Sequence, residues 1–135
     1  MNYKRFEELP CWNQARELCQ KVFEIINQVK FREDLSLRDQ LWRVAGSTMD
    51  NIAEGFDDGS TREFIRFLGY SQRSCSEVQS QLYRALDCNY ITQNQFNEMY
   101  MIASACRKQI KGFRKYLRNY NPRRGSSKIP KSLNS

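Results

Sequence analysis

Thr92-Gln93-Asn94-Gln95-Phe96-Asn97-Glu98-Met99-Tyr100-Met101-Ile102-Ala103-Ser104-Ala105-Cys106-Arg107-Lys108-Gln109-Ile110-Lys111-Gly112-Phe113-Arg114-Lys115-Tyr116-Leu117 carries an apolar series at Phe96, Met99, Ala103, Cys106, Ile110, Phe113 and Leu117. Its steps alternate three and four without a slip. That spacing returns to one side of an α-helix roughly every 3.6 positions, so the stretch reads as a helix with one buried face. Thr92, backed by Gln95 three residues on, forms a capping box at its start, and Asn121-Pro122 closes it. At about 100° per residue, Arg107, Lys111, Arg114 and Arg118 share one narrow sector, with Lys108 and Lys115 on its flank. The apolar stripe lies about a quarter-turn away.

Working back along the chain, residues 61–88 predict a helix of about 40 Å at about 1.5 Å per residue. Its seam is Phe64, Leu68, Ser71, Cys75, Val78, Leu82 and Ala85, with small Gly69, Ser71, Ser74 and Cys75 in the middle. Those residues let another helix come close. Ser60 with Glu63 predicts a capping box at its start, and Asn89 with Tyr90 ends it. A further helix is expected after a Ser36 cap and up to Glu54, with Gly55 as the left-handed stop and residues 56–59 as a tight connection. Its inner face is Leu37, Leu41, Val44, Ala45, Thr48 and Ile52. Trp42 falls off that stripe, and either widens the core or meets another subunit. The first helix is expected over residues 10–29, opened by Pro10, with Trp12, Ala15, Leu18, Cys19, Val22, Ile26 and Val29 inward. Four amphipathic helices with short connections imply an all-α fold, an antiparallel up-down-up-down four-helix bundle. The bundle is expected to occupy residues 1–120, with residues 121–135 a disordered basic tail.

Charge is distributed unevenly along this chain. Residues 1–98 hold 12 Lys and Arg against all 15 carboxylates, a net −3, whereas residues 99–135 hold ten Lys and Arg and no acid, a net +10. A field of one sign attracts polyanions by Coulomb attraction and counterion release. The preceding helix repeats the theme, with Arg62, Arg66, Tyr70, Arg73 and Arg84 on one face, relieved by Glu77. Tyr70, Tyr100, Tyr116 and Tyr120 add rings near the cations, either to stack bases or to pack on arginine stems.

The same inventory argues against chemistry. The chain has no histidine, no Gly-rich phosphate loop and no C-x-x-C among Cys11, Cys19, Cys75, Cys88 and Cys106. No general base or paired-thiolate zinc site is expected, and no cofactor. The thiols read as small core residues of a reducing compartment. Asp50, Glu54, Asp57 and Asp58 gather late in the second helix. They are either favourable charges ahead of the next helix or oxygen ligands for a divalent ion in a metal-dependent nuclease. No apolar run reaches the roughly 20 residues of a membrane span, and the start lacks a signal peptide, so a cytoplasmic location with no membrane contact is expected.

Gln40-Leu41-Trp42-Arg43-Val44-Ala45-Gly46-Ser47-Thr48-Met49-Asp50-Asn51-Ile52-Ala53-Glu54-Gly55 resembles the central helix of the four-helix-bundle proteins encoded in intervening sequences of bacterial large-subunit ribosomal RNA. Ser60-Thr61-Arg62-Glu63-Phe64-Ile65-Arg66-Phe67-Leu68 and Ser74-Cys75-Ser76-Glu77-Val78-Gln79-Ser80-Gln81-Leu82 are similar to the family's next helix. Phe6-Glu7-Glu8-Leu9, with Trp12 and Ala15, is similar to its first. The family includes the accessory variability determinant of diversity-generating retroelements. The resemblance implies a homo-pentameric barrel with a positive surface. In the retroelement branch it also implies binding to RNA or DNA and to a reverse transcriptase. It carries over Asn51, Glu54 and Gly55 as a structural motif, holding the turn to the next helix or neutralising Arg43 or Arg62. Asp57-Asp58 stands where many members have a short basic turn.

The expectation is a non-enzymatic homo-oligomer that binds nucleic acid and, in the retroelement branch, serves as an accessory to a reverse transcriptase. The contacts expected are Arg107, Lys108, Lys111, Arg114, Lys115, Arg118, Arg123 and Arg124, with Arg62, Arg66, Arg73 and Arg84. The alternative is an adaptor whose basic face docks an acidic protein.

Overall fold

The computed structural model describes residues 3–119. A 3-10 turn, Phe6–Glu8, leads into α1 (Pro10–Ile26), α2 (Val29–Arg32), α3 (Leu35–Asp58), α4 (Thr61–Asp87) and α5 (Gln93–Arg118), and no strand forms among the described residues. The four long helices pack in a ring: α3 along α4, α4 along α5, and α1 against both α3 and α5. The brief links at residues 59–60 and 88–92 make successive long helices antiparallel. Leu18, Val22, Leu41, Ile52, Phe64, Leu68, Leu82, Ile110 and Leu117 are almost fully buried between them. Each such side chain contributes about 1.5–3 kcal/mol when taken from water. No helix is long and apolar enough to cross a membrane among the described residues.

The expected stripes and the caps at Ser60 and Thr92 are present, except that Val29, expected inward, falls beyond the end of α1 and is exposed; three boundaries also differ. The first helix ends at Ile26, and α2 follows after a break; the break drops Phe31 into the core beside Tyr90, with ring centroids 5.4 Å apart. The cap of α3 is Asp34, not Ser36: its carboxylate accepts from the Leu37 amide at 3.1 Å and from the Tyr90 hydroxyl at 2.9 Å. Gly55 does not stop α3. The helix runs on to Asp58 and ends at Gly59, which takes the left-handed conformation with φ 84°. Continuing the helix buries Phe56 edge-on to Phe64 at 6.1 Å. Gly55 is small for another reason: a Cβ there would stand 2.8 Å from Phe64 Cδ1 and Phe67 Cβ on α4.

The Ser60 cap is also half of the expected box. Ser60 accepts from the Glu63 amide, while the Glu63 carboxylate turns to Arg66. The disordered-tail expectation for residues 121–135 falls outside the described residues.

Candidate nucleic-acid interface

Position on the helix cylinder decides what each cation of α5 does. Arg107 and Arg114 lie nearest the apolar stripe and are half-buried, whereas Lys108, Lys111, Lys115 and Arg118 are exposed. Arg114 Nε donates to the Ile65 carbonyl of α4 at 3.0 Å. Its guanidinium lies across Gly69, with Nη2 2.8 Å from where a Cβ would stand. Gly69 therefore seats Arg114 at the α4–α5 boundary. Burial, then the charges of Arg118 and Arg73, pulls the Arg114 pKa below its ordinary value, although a guanidinium remains protonated. Two like charges acting on Arg114 from different helices mean that Arg73 of α4 and Arg118 of α5 share one surface.

On α4, Arg62, Arg66, Arg73 and Arg84 are all exposed. The helices run antiparallel, with Gln79 donating to Ser104 at 2.7 Å and Arg114 reaching back to Ile65, so the late residues of α5 meet the early residues of α4. Arg62, Arg66 and Arg73 thus join Lys111, Arg114, Lys115 and Arg118 near one end of the bundle. Arg84 does not join them. It stands about 17 Å beyond Arg73 along α4 at about 1.5 Å per residue, where its Nη1 donates to Gln40 Oε1 of α3 at 3.2 Å. Arg123 and Arg124 lie outside the described residues.

The basic surface is ordered by a ring and an acid. Arg66 donates to Glu63 Oε2 from Nε at 2.9 Å and from Nη2 at 2.6 Å, and to the Tyr70 hydroxyl from Nη1 at 2.8 Å. The Tyr70 ring lies 5.5 Å from the Arg66 guanidinium carbon and 5.0 Å from that of Arg73. Such exposed cation–π contacts are weak, but they favour one placement of the guanidinium groups. The Glu63 and Tyr70 hydrogen bonds together hold the Arg66 pKa above its ordinary value. Of the other rings, Tyr100 packs on Phe96 and Tyr83, with centroids 5.5 and 6.0 Å away. Tyr116 is exposed but lies about 200° around α5 from Arg114; Tyr120 is outside the described residues.

The Asn51 motif serves packing. Asn51 Nδ2 donates to the Ser47 carbonyl at 2.9 Å and to Ser47 Oγ at 2.8 Å, and Ser74 of α4 donates to the same Oγ at 2.9 Å. Asn51 therefore braces an α3–α4 crossing rather than the turn between them. Glu54 is exposed, as are Asp50, Asp57 and Asp58 along the outer side of α3. No three Cys, Asp or Glu side chains gather to hold a metal ion among the described residues. The small α4 residues are used within the chain itself: Gly69 under Arg114, Ser74 on Ser47, Cys75 in the core. Trp42 is 46% exposed and lies 5.7 Å from Phe23, itself 55% exposed, so the ring pair widens no closed core.

Chemically, this surface offers forked guanidinium donors and ammonium groups, the groups that pair with phosphate oxygens. Residue periodicity located its cations but missed Gly69 and the Ile65 carbonyl as the seat of Arg114. The one available signal was a small residue beside the α4 seam.

The family model described as 23S rRNA-intervening sequence protein matches residues 7–112. Among solved structures, one of a protein with unknown function from the S23 ribosomal protein family of Bacteroides thetaiotaomicron VPI-5482 superposes with a TM-score of 0.72 at 19% identity. The match covers 78% of this chain and 95% of that one. It is a likeness of fold. No curated protein matches the chain.

Proposed function

Because the chain belongs to the 23S rRNA-intervening sequence protein family, we propose that it is a non-enzymatic homo-oligomer that binds nucleic acid through the joined basic faces of α4 and α5. The observation that carries this reading is that Arg114 of α5 lies across Gly69 of α4, one turn from Arg73 on that helix and one turn from Arg118 on its own, so cations of two helices share one surface. Like charges brought together cost stability, and a polyanion relieves that cost. Glu63 and Glu77 temper the field without cancelling it, since α5 has no acid after Glu98. The Glu63–Arg66 ion pair is exposed, where solvent and salt screen it, so it does not silence the Arg66 charge.

The assembly proposed is the homo-pentamer implied by the family resemblance. The exposed Phe23–Trp42 pair between α1 and α3 supports self-association, because aromatic side chains are enriched at interface cores. Light scattering should give about five times the 16.1 kDa chain mass; a monomer mass at micromolar concentration overturns the oligomer.

The binding test is a salt titration against mixed-sequence RNA and DNA duplexes. Changing exposed Arg66, Arg73, Lys111 and Arg118 together to Gln should reduce the slope of log K against log salt by about 3–4 per protomer engaged. The loss should be similar for unrelated sequences, since phosphate contacts position without specifying. An unchanged slope moves the site elsewhere. No binding by the unaltered protein at low salt overturns the reading and leaves the adaptor for an acidic protein.

A further inference from the structure

Tyr70 is the feature that the charge argument leaves unused. Its ring is contacted by Arg66 from the preceding helical turn and by Arg73 from the following one, and its hydroxyl accepts from Arg66 Nη1. Phe67 meets it edge-on at 5.8 Å. A base stacking on this ring would compete for it with the guanidinium groups of Arg66 and Arg73. The other described tyrosines are no substitute: Tyr83 and Tyr100 form a cluster with Phe96 away from the Arg114 end, and Tyr116 is turned away from the Arg114 sector. Proteins that bind single strands combine a positive groove with free aromatic platforms. Among the described residues, no tyrosine free of a neighbouring cation or ring stands beside these cations, and they lie on the outer side of the α4–α5 pair.

Resting on the nucleic-acid reading above, we infer that Tyr70 is a positioning residue that holds Arg66 and Arg73 as a phosphate clamp, and that the clamp takes the backbone of a double helix in preference to a single strand. A duplex presents about one charge per 1.7 Å of axis, the denser array for cations fixed in advance. Glu63 takes Nε and Nη2 of Arg66, and the Tyr70 ring and hydroxyl fix the rest of the pair; holding both guanidinium groups in advance removes rotamer freedom that each would otherwise lose on binding.

The experiment uses the full chain and three probes: a mixed-sequence RNA duplex, a DNA duplex of the same sequence, and oligouridylate with the same number of phosphates. Both duplexes should bind at least about tenfold more tightly than oligouridylate at one fixed salt concentration. Tyr70→Ala removes no charge, yet it should lower the salt slope for the duplexes by about 1 to 2. It should have no further effect in an Arg66→Gln, Arg73→Gln background. Tyr70→Phe keeps the ring and should retain most of the slope, which guards against a Tyr70→Ala chain that does not fold. Oligouridylate binding as tightly as the duplexes, or Tyr70→Ala losing affinity with the slope unchanged, overturns the clamp while nucleic-acid binding stands. Absence of binding to all three probes overturns both.

Discussion

Gly46 and Gly55 lie in the interior of the same helix and should respond oppositely to alanine. At Gly46 a Cβ would meet only Asp50 Oδ2, at 3.8 Å, an ordinary contact. Gly46→Ala should therefore stabilise by about 0.5–1 kcal/mol through lost chain entropy in the unfolded state. At Gly55 the Cβ would collide with Phe67 Cβ at 2.8 Å and crowd Phe64 Cα at 3.3 Å, atoms fixed to the α4 backbone. Gly55→Ala should cost about 1–3 kcal/mol. Thermal melts that shift the same way for both would contradict this packing. The thiols divide as sharply. Burial pushes Cys11 up to about 12 and Cys19 up to about 11; the Cys75 thiol, then burial, raises Cys106 as well. Cys88 is exposed. At neutral pH a thiol reagent should modify Cys88 quickly and the buried four only on unfolding, and Cys88→Ser should abolish the fast phase.

At the scale of the helix, Asp34 joins the start of α3 to the link before α5. Its carboxyl is held below the ordinary 3.8, first by the Leu37 amide and then by the Tyr90 hydroxyl. A depressed carboxyl contributes stability that is complete above its unfolded pKa and is lost as pH falls through the folded value. The protein should thus lose this contribution below about pH 4. Asp34→Asn should flatten that acid limb of a stability-against-pH curve while lowering Tm at neutral pH; an unchanged acid limb would show that the cap does not titrate with folding. Ser36 had the right chemistry for a cap, yet the helix starts earlier because Tyr90, distant in sequence, offers Asp34 a second partner.

Across the whole molecule, residue order alone determined the helical class, the four long helices, the inward stripes and the charge carried on α5. Those properties follow from local periodicity, which neighbouring residues set without help from distant ones. The family motif was legible too, though its purpose was not. Asn51 and Gly55 looked like turn residues, but Asn51 holds the Ser47 hydroxyl that Ser74 of α4 meets, and Gly55 packs directly against α4. Tertiary structure decided which glycine ends α3, because only packing of Phe56 on Phe64 distinguishes Gly55 from Gly59. It also sorted the cations. Antiparallel register brought Arg73 of α4 and Arg118 of α5 within reach of Arg114 and sent Arg84 to the opposite end of the bundle, and the α4–α5 seam drew Arg114 half inward over Gly69. Periodicity specifies direction around one helix; which cations become neighbours depends on how two helices are set against each other, and that is fixed by the core they share.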